Sequence, residues 1–135
     1  LMSEDEAKKR GIEKLVSIKS WASCGVEPSL MGTGPIPSSK KALELAGWSI
    51  KEVDLFEINE AFAAQSIAVL KTLGIPDEKV NVNGGAMSLG HPMGATGGVL
   101  IATLLDELER RDKSLGLVAI SGATGMGSAL LIERC

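Results

Sequence analysis

The sequence predicts an α/β fold, a mixed sheet with helices on both faces, and three observations lead to this prediction. Short apolar runs alternate along the chain with segments of helical periodicity. Several helical segments end at a glycine, the residue that most readily adopts the left-handed conformation after a helix. The last two apolar runs are separated only by a glycine-rich turn, which favours an antiparallel pair. The chain has 135 residues, 44% of them hydrophobic, which suits one domain with its own core.

The first part of the chain is predicted to hold a short helix, a strand and a long loop. Ser3 is a typical N-cap for a polar helix that ends near Arg10, and Gly11 follows in the C-cap position. Residues 15–22 alternate between polar and apolar side chains, which indicates a strand with one covered face. Residues 23–37 contain three glycines and three prolines, so they are predicted to form a structured loop that lines a site.

A helix and a short strand are predicted next. Ser38 is expected to cap a helix over residues 39–46, which ends at Gly47. Residues 53–58 are short and apolar, as is typical of a buried strand.

Two longer helices are predicted in the second half of the chain. Residues 59–73 have helical periodicity, and Gly74 supplies the stop. The stripe of this helix is formed by Phe62, Gln65 or Ser66, Val69 and Leu73. Residues 94–111 form the other helix, which is apolar on almost all sides over residues 99–105. We therefore expect this helix to be covered on most sides, as part of a core or an interface.

The end of the chain is predicted to be a hairpin. Residues 115–120 and 129–132 have the composition of strands, and residues 121–128 between them are rich in glycine. This turn is not a dinucleotide-binding fingerprint, because no helix and no acidic residue about twenty positions later follow it.

Composition argues against several functional classes. A net charge of −3, with two Phe, two Trp and no Tyr, gives neither a basic surface nor a stacking platform for nucleic acid. Cys24 and Cys135 form no disulfide or zinc-binding pattern, and the single histidine has no second imidazole with which to share a metal. We therefore expect no cofactor, no metal and no nucleic-acid partner.

Hydropathy and the N-terminal residues lead to two further expectations. No leader pattern opens the sequence, and the apolar stretch over residues 99–105 is too short to cross a bilayer, so we expect a cytoplasmic protein without a membrane partner. The helical pattern begins within the first few residues. Residues 1–135 are therefore expected to be one domain of a longer polypeptide, with residues 1–13 as the junction to the preceding part.

Three polar side chains lie at predicted strand ends or in glycine-rich turns, and they mark the candidate site. Asn59 follows one strand, Ser121 ends another, and His91 lies within the glycine-rich run of residues 83–98. Ligand sites of α/β sheets form at such strand ends. Histidine is the side chain whose pKa lies nearest neutrality, and glycines let the backbone approach a ligand closely. His91 is therefore the leading candidate for a base.

Several motifs around these residues occur in the order found in one enzyme family. They are Met31-Gly32-Thr33-Gly34-Pro35, Asn59-Glu60-Ala61-Phe62, Asn81-Val82-Asn83-Gly84-Gly85-Ala86, Gly90-His91-Pro92 with Gly94 and Gly97, and Gly125-Met126-Gly127. Over essentially its whole length the sequence resembles the C-terminal half of the thiolases. These acyl-CoA acyltransferases condense acetyl-CoA or cleave 3-ketoacyl-CoA, and the resemblance implies a thiolase-like C-terminal domain.

The resemblance also implies roles for individual residues. His91 would activate a nucleophilic cysteine located in the N-terminal half of a thiolase, and would bind the thioester oxygen; a neutral imidazole has the chemistry for both tasks. Asn59 would orient a water that completes the oxyanion hole. Met31, Ala61 and Phe62 match positions that line the pocket for pantetheine and acyl groups. The substrates would be coenzyme A thioesters.

Ser121 is the main departure from the thiolase pattern. Thiolases carry a second cysteine here, in a C-x-G pattern, and it moves the α-proton of the incoming acetyl-CoA. In this chain Ser121 stands at the cysteine and Ala123 at the glycine, where its backbone N–H remains a donor for a second oxyanion hole. An alcohol ionises far less readily than a thiol near pH 7, so Ser121 is a poor replacement.

Other interpretations stay open at this stage. A lone histidine is commonly structural, Asn59 is also a good helix N-cap, and Ser121 fits an ordinary hairpin turn. The chain is expected to be the C-terminal half of a thiolase and to be inactive without the half that carries the nucleophile. The protein is expected to form a homo-oligomer. The alternatives are a degenerate thiolase that binds acyl-CoA or serves in assembly, and a hydrolase or transacylase that uses the nucleophile and His91 only. Condensing enzymes with two histidines are excluded, because this chain has one.

Overall fold

A computed structural model describes residues 2–13 and 15–135 of the chain. Its helices and strands alternate as predicted for an α/β fold. The elements are α1 (Glu4–Arg10), β1 (Val16–Gly25), α2 (Pro35–Ala46), β2 (Leu55–Ile58), α3 (Ala63–Leu73), α4 (Ala86–Leu89), α5 (Thr96–Arg110), β3 (Leu115–Gly122) and β4 (Met126–Arg134). Short 3₁₀ turns lie at Pro28–Thr33, Ile50–Glu52 and Asp77–Lys79.

The strands form one mixed sheet in the order β1-β4-β3-β2. The β2 and β3 strands are parallel, whereas β4 is antiparallel to both β3 and β1. The hairpin predicted at the end of the chain is therefore confirmed, although its turn is shorter than predicted. The ladder continues through Ser121, which pairs with Gly127, so that only residues 123–125 form the turn.

Helices cover both faces of the sheet, as the sequence predicts. On one face α2 and α3 enclose a core that includes Phe56, Leu117 and Leu131. On the other face α5 packs Leu100, Leu104 and Leu108 against the sheet. The alternation of side chains along β2 follows from this arrangement: Phe56 and Ile58 point to the first core, while Leu55 and the following odd-numbered positions point towards α5.

The helix α5 covers only part of its face of the sheet. Val99 on this helix remains 44% exposed, and Trp21 on β1 remains 71% exposed. A groove of about 260 Å³ lies between Trp21 and α5, lined by Ile101 and Leu130 among other residues. Within the described residues α5 is therefore covered on one face, and the expectation that its other sides meet an interface stays a prediction.

The loop predicted over residues 23–37 is shorter at both ends and covers residues 26–34, which include the 3₁₀ turn Pro28–Thr33. The strand β1 continues to Gly25, and α2 begins at Pro35. Glycine and proline suggested a loop, but proline is well tolerated in the first helical turn, where the backbone N–H groups have no intrahelical partner. Ser38 is not the N-cap: it lies inside the helix, and its Oγ donates to Gly34 O over 2.9 Å.

The two other long helices begin later than predicted. Asn59 does not start or cap α3, because its N–H donates to Ala119 O over 2.9 Å and so continues the ladder of β2. Phe62 is 60% exposed, and the buried stripe of α3 consists of Gln65, Val69 and Leu73. The helix predicted from residue 94 begins at Thr96.

The predicted helix ends are confirmed where glycine follows the helix. Gly11, Gly47 and Gly74 all have φ between +63° and +70°, and each donates its N–H back to a carbonyl of the preceding helix. The predicted cap at Ser3 is confirmed as well, since its Oγ accepts from Glu6 N over 3.3 Å.

Candidate active site

The site begins with Asn59, which lies at the carboxyl end of β2 and is fully buried. Its backbone is fixed by the sheet, because its N–H pairs with Ala119 O on β3. Its side-chain Nδ2 lies 3.5 Å from Nε2 of His91. The Oδ1 atom is buried and has no hydrogen-bond partner among the described residues. Asn59 therefore presents a rigidly placed amide to the imidazole.

His91 lies in the exposed turn between α4 and α5. Its two ring nitrogens have different neighbours: Nε2 faces Asn59, whereas Nδ1 lies 2.7 Å from Oγ1 of Thr96. Thr96 is the first residue of α5 and is 2% exposed. A base needs one bare nitrogen, and the hydrogen bond made by the other nitrogen decides which one is bare. Thr96 is thus positioned to orient the ring and to select its tautomer.

Two polar side chains hold the backbone around this pair. Asn81 accepts from Ile58 N and donates to Ile58 O, both over 2.9 Å, so its amide extends the edge of β2 just before Asn59. Glu60 accepts from Met87 N over 3.0 Å and thereby anchors α4. A Cβ at Gly85 would overlap the Glu60 carboxyl, so the glycine is required for this close approach.

A buried carboxyl lies on the same face of β2 as Asn59. Glu57 is 2% exposed, and its side chain makes no hydrogen bond among the described residues. It lines a small cavity of about 20 Å³ together with Asn59, Thr96 and Thr103. Burial, with contributions from Glu60 and Glu107, raises the pKa of Glu57 from 4.5 to about 7.

Glu107 on α5 has the opposite electrostatic environment. It is also buried, but it accepts hydrogen bonds from Arg110, from Arg111 over 2.8 Å and from Asn83 over 3.2 Å. The hydrogen bond from Arg110, supported by those from Arg111 and Asn83, lowers the pKa of Glu107 to about 2 although burial opposes the shift. Glu107 therefore stays ionised and ties the glycine-rich run to α5.

The residues matched to the acyl pocket lie in two separate segments, the loop before α3 and the 3₁₀ turn Pro28–Thr33. Ala61 and Phe62 follow Asn59 directly in the loop before α3, and Phe62 is 60% exposed. Met31 is half-buried in the 3₁₀ turn Pro28–Thr33. The next residue, Gly32, lies so close to Gln65 on α3 that a Cβ there would contact its side chain. The Met31 turn therefore packs beside the N-terminal turn of α3.

Ser121 lies at the carboxyl end of β3 and Ala123 follows it, at the same edge of the sheet where Asn59 follows the parallel strand β2. Ser121 is half-buried and paired with Gly127, and Ala123 is exposed in the hairpin turn. No hydrogen bond links Ser121 to His91 within the described part of the chain. The structure thus brings Asn59 and His91 together, whereas Ser121 is not bonded to either of them.

Four residues that support the site were not singled out from the sequence. Glu57, Glu60 and Asn81 each act through a contact with a residue distant in the chain, whereas Thr96 contacts His91 five positions before it. The one available signal was Glu57, a charged residue in the middle of the apolar strand Leu55-Phe56-Glu57-Ile58. Residues such as Glu are almost never fully buried without a specific role or partner.

Neither a metal-binding cluster nor a membrane-spanning helix occurs in the part of the chain that the structure describes. Within residues 2–13 and 15–135, no group of three or more His, Cys, Asp and Glu side chains is arranged to hold a metal ion. No helix in the same residues has the length and apolar character needed to span a bilayer.

Comparisons with known proteins confirm the resemblance stated from the motifs. A family model described as "Thiolase, C-terminal domain" matches residues 12–134. An acetyl-CoA acetyltransferase from Rhizobium meliloti (strain 1021) is 55% identical over 134 residues, which are 99% of this chain and 34% of that protein. A cytosolic acetyl-CoA acetyltransferase from Mus musculus is 52% identical over 134 residues, again 99% and 34% of the two chains.

A solved structure confirms the predicted fold. The crystal structure of the Bacillus anthracis acetyl-CoA acetyltransferase matches with a TM-score of 0.96 at 46% identity, covering 99% of this chain and 34% of the other. The chain therefore spans about a third of the length of the relatives that it matches.

Proposed function

Because the chain belongs to the family of thiolase C-terminal domains, we propose that it supplies the histidine base and the oxyanion-hole asparagine of an acetyl-CoA acetyltransferase. The substrates would be acetyl-CoA and short 3-ketoacyl-CoA thioesters. The observation that carries the proposal is the pair of Asn59 and His91, held 3.5 Å apart by separate elements of the fold. The names of the relatives supply the reaction class.

His91 acts as the base of the first half-reaction. Its Nε2 takes the proton of a cysteine thiol, and the resulting thiolate attacks the thioester carbonyl carbon. The carbon–sulfur bond to coenzyme A then breaks, and Nε2 returns its proton to the departing thiolate, leaving an acyl-enzyme and free coenzyme A. Nδ1 of His91 faces the Thr96 hydroxyl at 2.7 Å, so Nε2 is the nitrogen available for this proton.

Asn59 supports the oxyanion that forms on the thioester oxygen. Its buried position and its backbone pairing to Ala119 hold the amide in place before the reaction, so little reorganisation is needed as charge develops. The amide Nδ2 is directed towards the imidazole, and a water held by this group would complete the oxyanion hole.

Met31, Ala61, Phe62 and Ala123 are proposed to contact the bound thioester. Phe62 and Ala123 are exposed in this chain, and Met31 and Ala61 are half-buried, so all four have surface to offer a ligand. The apolar side chains suit the acyl and pantetheine parts, while the backbone N–H of Ala123 suits an oxyanion.

Ser121 is the proposed weak point of the second half-reaction. In condensation the group at this position removes the α-proton of the incoming acetyl-CoA, and in cleavage it returns a proton. A hydroxyl is scarcely ionised near pH 7, so Ser121 performs this transfer far less efficiently than a thiol.

The proposed partner is a polypeptide segment that matches the rest of the relatives' length and carries the nucleophilic cysteine. The apolar groove beside α5, lined by the exposed Trp21 and by Ile101, gives a surface for this segment or for self-association into a homo-oligomer. The chain by itself is expected not to turn over. A cytoplasmic location is part of the proposal and is supported by the name of the Mus musculus relative.

The test is a chimaera in which this chain replaces the matching third of the Rhizobium meliloti enzyme. Thiolysis of acetoacetyl-CoA is measured with the chimaera, with His91→Gln and with Asn59→Ala. We expect activity that falls at least about 10²-fold in His91→Gln, the scale of acid–base catalysis. Lys71→Gln, on the exposed side of α3, is the matched control and should leave the rate unchanged.

Two results would contradict the proposal. If the chimaera folds and binds acetyl-CoA but turns over at the same rate with and without His91, the chain is a binding or assembly module. If hydrolysis of acetyl-CoA replaces carbon–carbon bond cleavage, the chain serves a hydrolase.

A further inference from the structure

A small cavity beneath the N-terminal half of α5 lies beside both Glu57 and Thr96, between which there is no direct hydrogen bond. Glu57 and Thr96 both line it, and both are 2% exposed. Its volume of about 20 Å³ is enough for a single water molecule, for which about 10–15 Å³ is needed. Most of its surface is apolar, but three of the residues that line it, Glu57, Thr96 and Thr103, carry carboxyl or hydroxyl groups of the kind that a buried water needs as partners.

We propose that Glu57 is a positioning residue that selects the tautomer of His91 through Thr96 and one water bound in this cavity. The inference rests on the proposed role of His91 as a base, because only a base makes the tautomer matter for function.

The direction of the hydrogen bonds follows from the ionisation of Glu57. A carboxylate accepts hydrogen bonds only, so the water donates to it and accepts from the Thr96 hydroxyl. Thr96 Oγ1 then accepts a hydrogen bond from Nδ1–H of His91, 2.7 Å away, and Nε2 carries no proton. A protonated Glu57 donates instead and reverses the chain, which places the proton on Nε2. The first arrangement is the one that takes a proton from a thiol, and the second is the one that donates to an oxyanion.

The charges around Glu57 make both states accessible near neutral pH. Two negative charges act on Glu57, those of Glu60 in the loop after β2 and of Glu107 on α5. Arg110 and Arg111 donate hydrogen bonds to Glu107. His91 lies at the other end of the proposed chain of hydrogen bonds. Burial and the two carboxylates raise the pKa of Glu57 to about 7. A small change in its surroundings, such as a bound thioester, is then enough to change its charge.

The test reads the tautomer of His91 in the 135-residue chain by ¹⁵N NMR, which is unambiguous because the chain has one histidine. At about pH 9, above its pKa of about 7, Glu57 is ionised. We expect the Nδ1–H form to dominate in the unmodified chain. In Glu57→Gln the amide can also donate, so the ratio of Nδ1–H to Nε2–H is expected to fall several-fold.

A second substitution tests whether Glu57 acts through this relay, the chain of hydrogen bonds from Glu57 through the water and Thr96 to His91, or through a merely structural effect. Thr96→Val keeps the shape of the side chain and removes the hydroxyl, so in that background Glu57→Gln should no longer change the ratio. Glu44→Gln, an exposed carboxylate on α2, is the matched control and should have no effect.

The proposal is overturned if Glu57→Gln leaves the tautomer ratio unchanged, or if it changes the ratio equally in the Thr96→Val background. This readout does not depend on activity. If the chimaera shows no acyl transfer, the proposed function is refuted, and the tautomer ratio still tests the role of Glu57. If the chimaera is active but Glu57→Gln leaves the ratio unchanged in the 135-residue chain, only the role of Glu57 is refuted.

Discussion

Replacing Glu57 by Gln should change the pH dependence of stability, because this carboxyl gives up its proton less readily in the folded chain. Its pKa rises from 4.5 to about 7 on folding, chiefly through burial. The folded state therefore binds the proton more tightly than the unfolded state. The stabilisation is complete below the unfolded pKa of 4.5, and it is lost as the pH rises to the folded value of about 7.

The size of the effect follows from the shift. Each pKa unit corresponds to about 1.4 kcal/mol, so the unmodified chain should lose about 3 kcal/mol between the two limits, and roughly 2 to 3 kcal/mol between pH 5 and pH 8. Glu107 does not contribute in this range, because its pKa is lowered to about 2 and its stabilisation is lost only below pH 4.5. The side-chain amide introduced by Glu57→Gln does not titrate, so the variant should not lose stability in this range. Its free energy of unfolding, relative to that of the unmodified chain, should therefore be higher at pH 8 than at pH 5.

Urea denaturation at the two pH values, followed by tryptophan fluorescence, measures this difference. Glu44→Gln, whose parent carboxylate is exposed, should change the free energy of unfolding by the same small amount at both pH values. A Glu57→Gln effect that agrees within about 0.5 kcal/mol at pH 5 and pH 8 would refute the reasoning, because Glu57 would then not titrate in this window.

Three further predictions address the core, the backbone and the reaction. Leu104→Ala removes a side chain that is 1% exposed under α5 and should cost about 2–5 kcal/mol in urea denaturation, whereas Leu45→Ala, 58% exposed, should cost less than about 0.5 kcal/mol. Gly127→Ala would place a Cβ onto the backbone of Gly34 and should cost about 1–3 kcal/mol or more. Its control Gly98→Ala, on α5 with open space around it, should be neutral or slightly stabilising, and equal effects would contradict the close packing. In the chimaera, Ser121→Cys should raise thiolysis turnover by about 10²-fold and leave acyl-enzyme formation unchanged; no gain would mean that the residue takes no part in proton transfer.

Features of the fold that are encoded locally were predictable from the sequence. The glycines after α1, α2 and α3 predicted those helix ends, because few other residues adopt a positive φ readily. The hairpin of β3 and β4 was predictable from two apolar runs and a turn. The start of α2 was not, because the prolines in its first turn are compatible with a loop and with a helix alike.

The candidate site was predictable only in part, for a physical reason. Asn59 and His91 are marked by motifs and by their positions, so they could be named without the fold. The contact of His91 with Thr96 is local to the turn that enters α5 and carries no motif signal of its own, whereas the cavity shared by Thr96 and Glu57 forms only when α5 packs on β2. Periodicity and turn signals describe neighbours along the chain, and they do not show which side chains meet across two elements.

The central claim is that His91 is the base that activates a nucleophilic cysteine. Its most direct test is the rate of acyl-enzyme formation when the chimaera is mixed with acetyl-CoA, followed by mass spectrometry of the quenched protein. The account predicts an acetyl group on one cysteine of the Rhizobium meliloti segment, formed at least about 10²-fold more slowly in His91→Gln. Equal rates of acetylation with and without His91, in chimaeras that are equally folded, would contradict it.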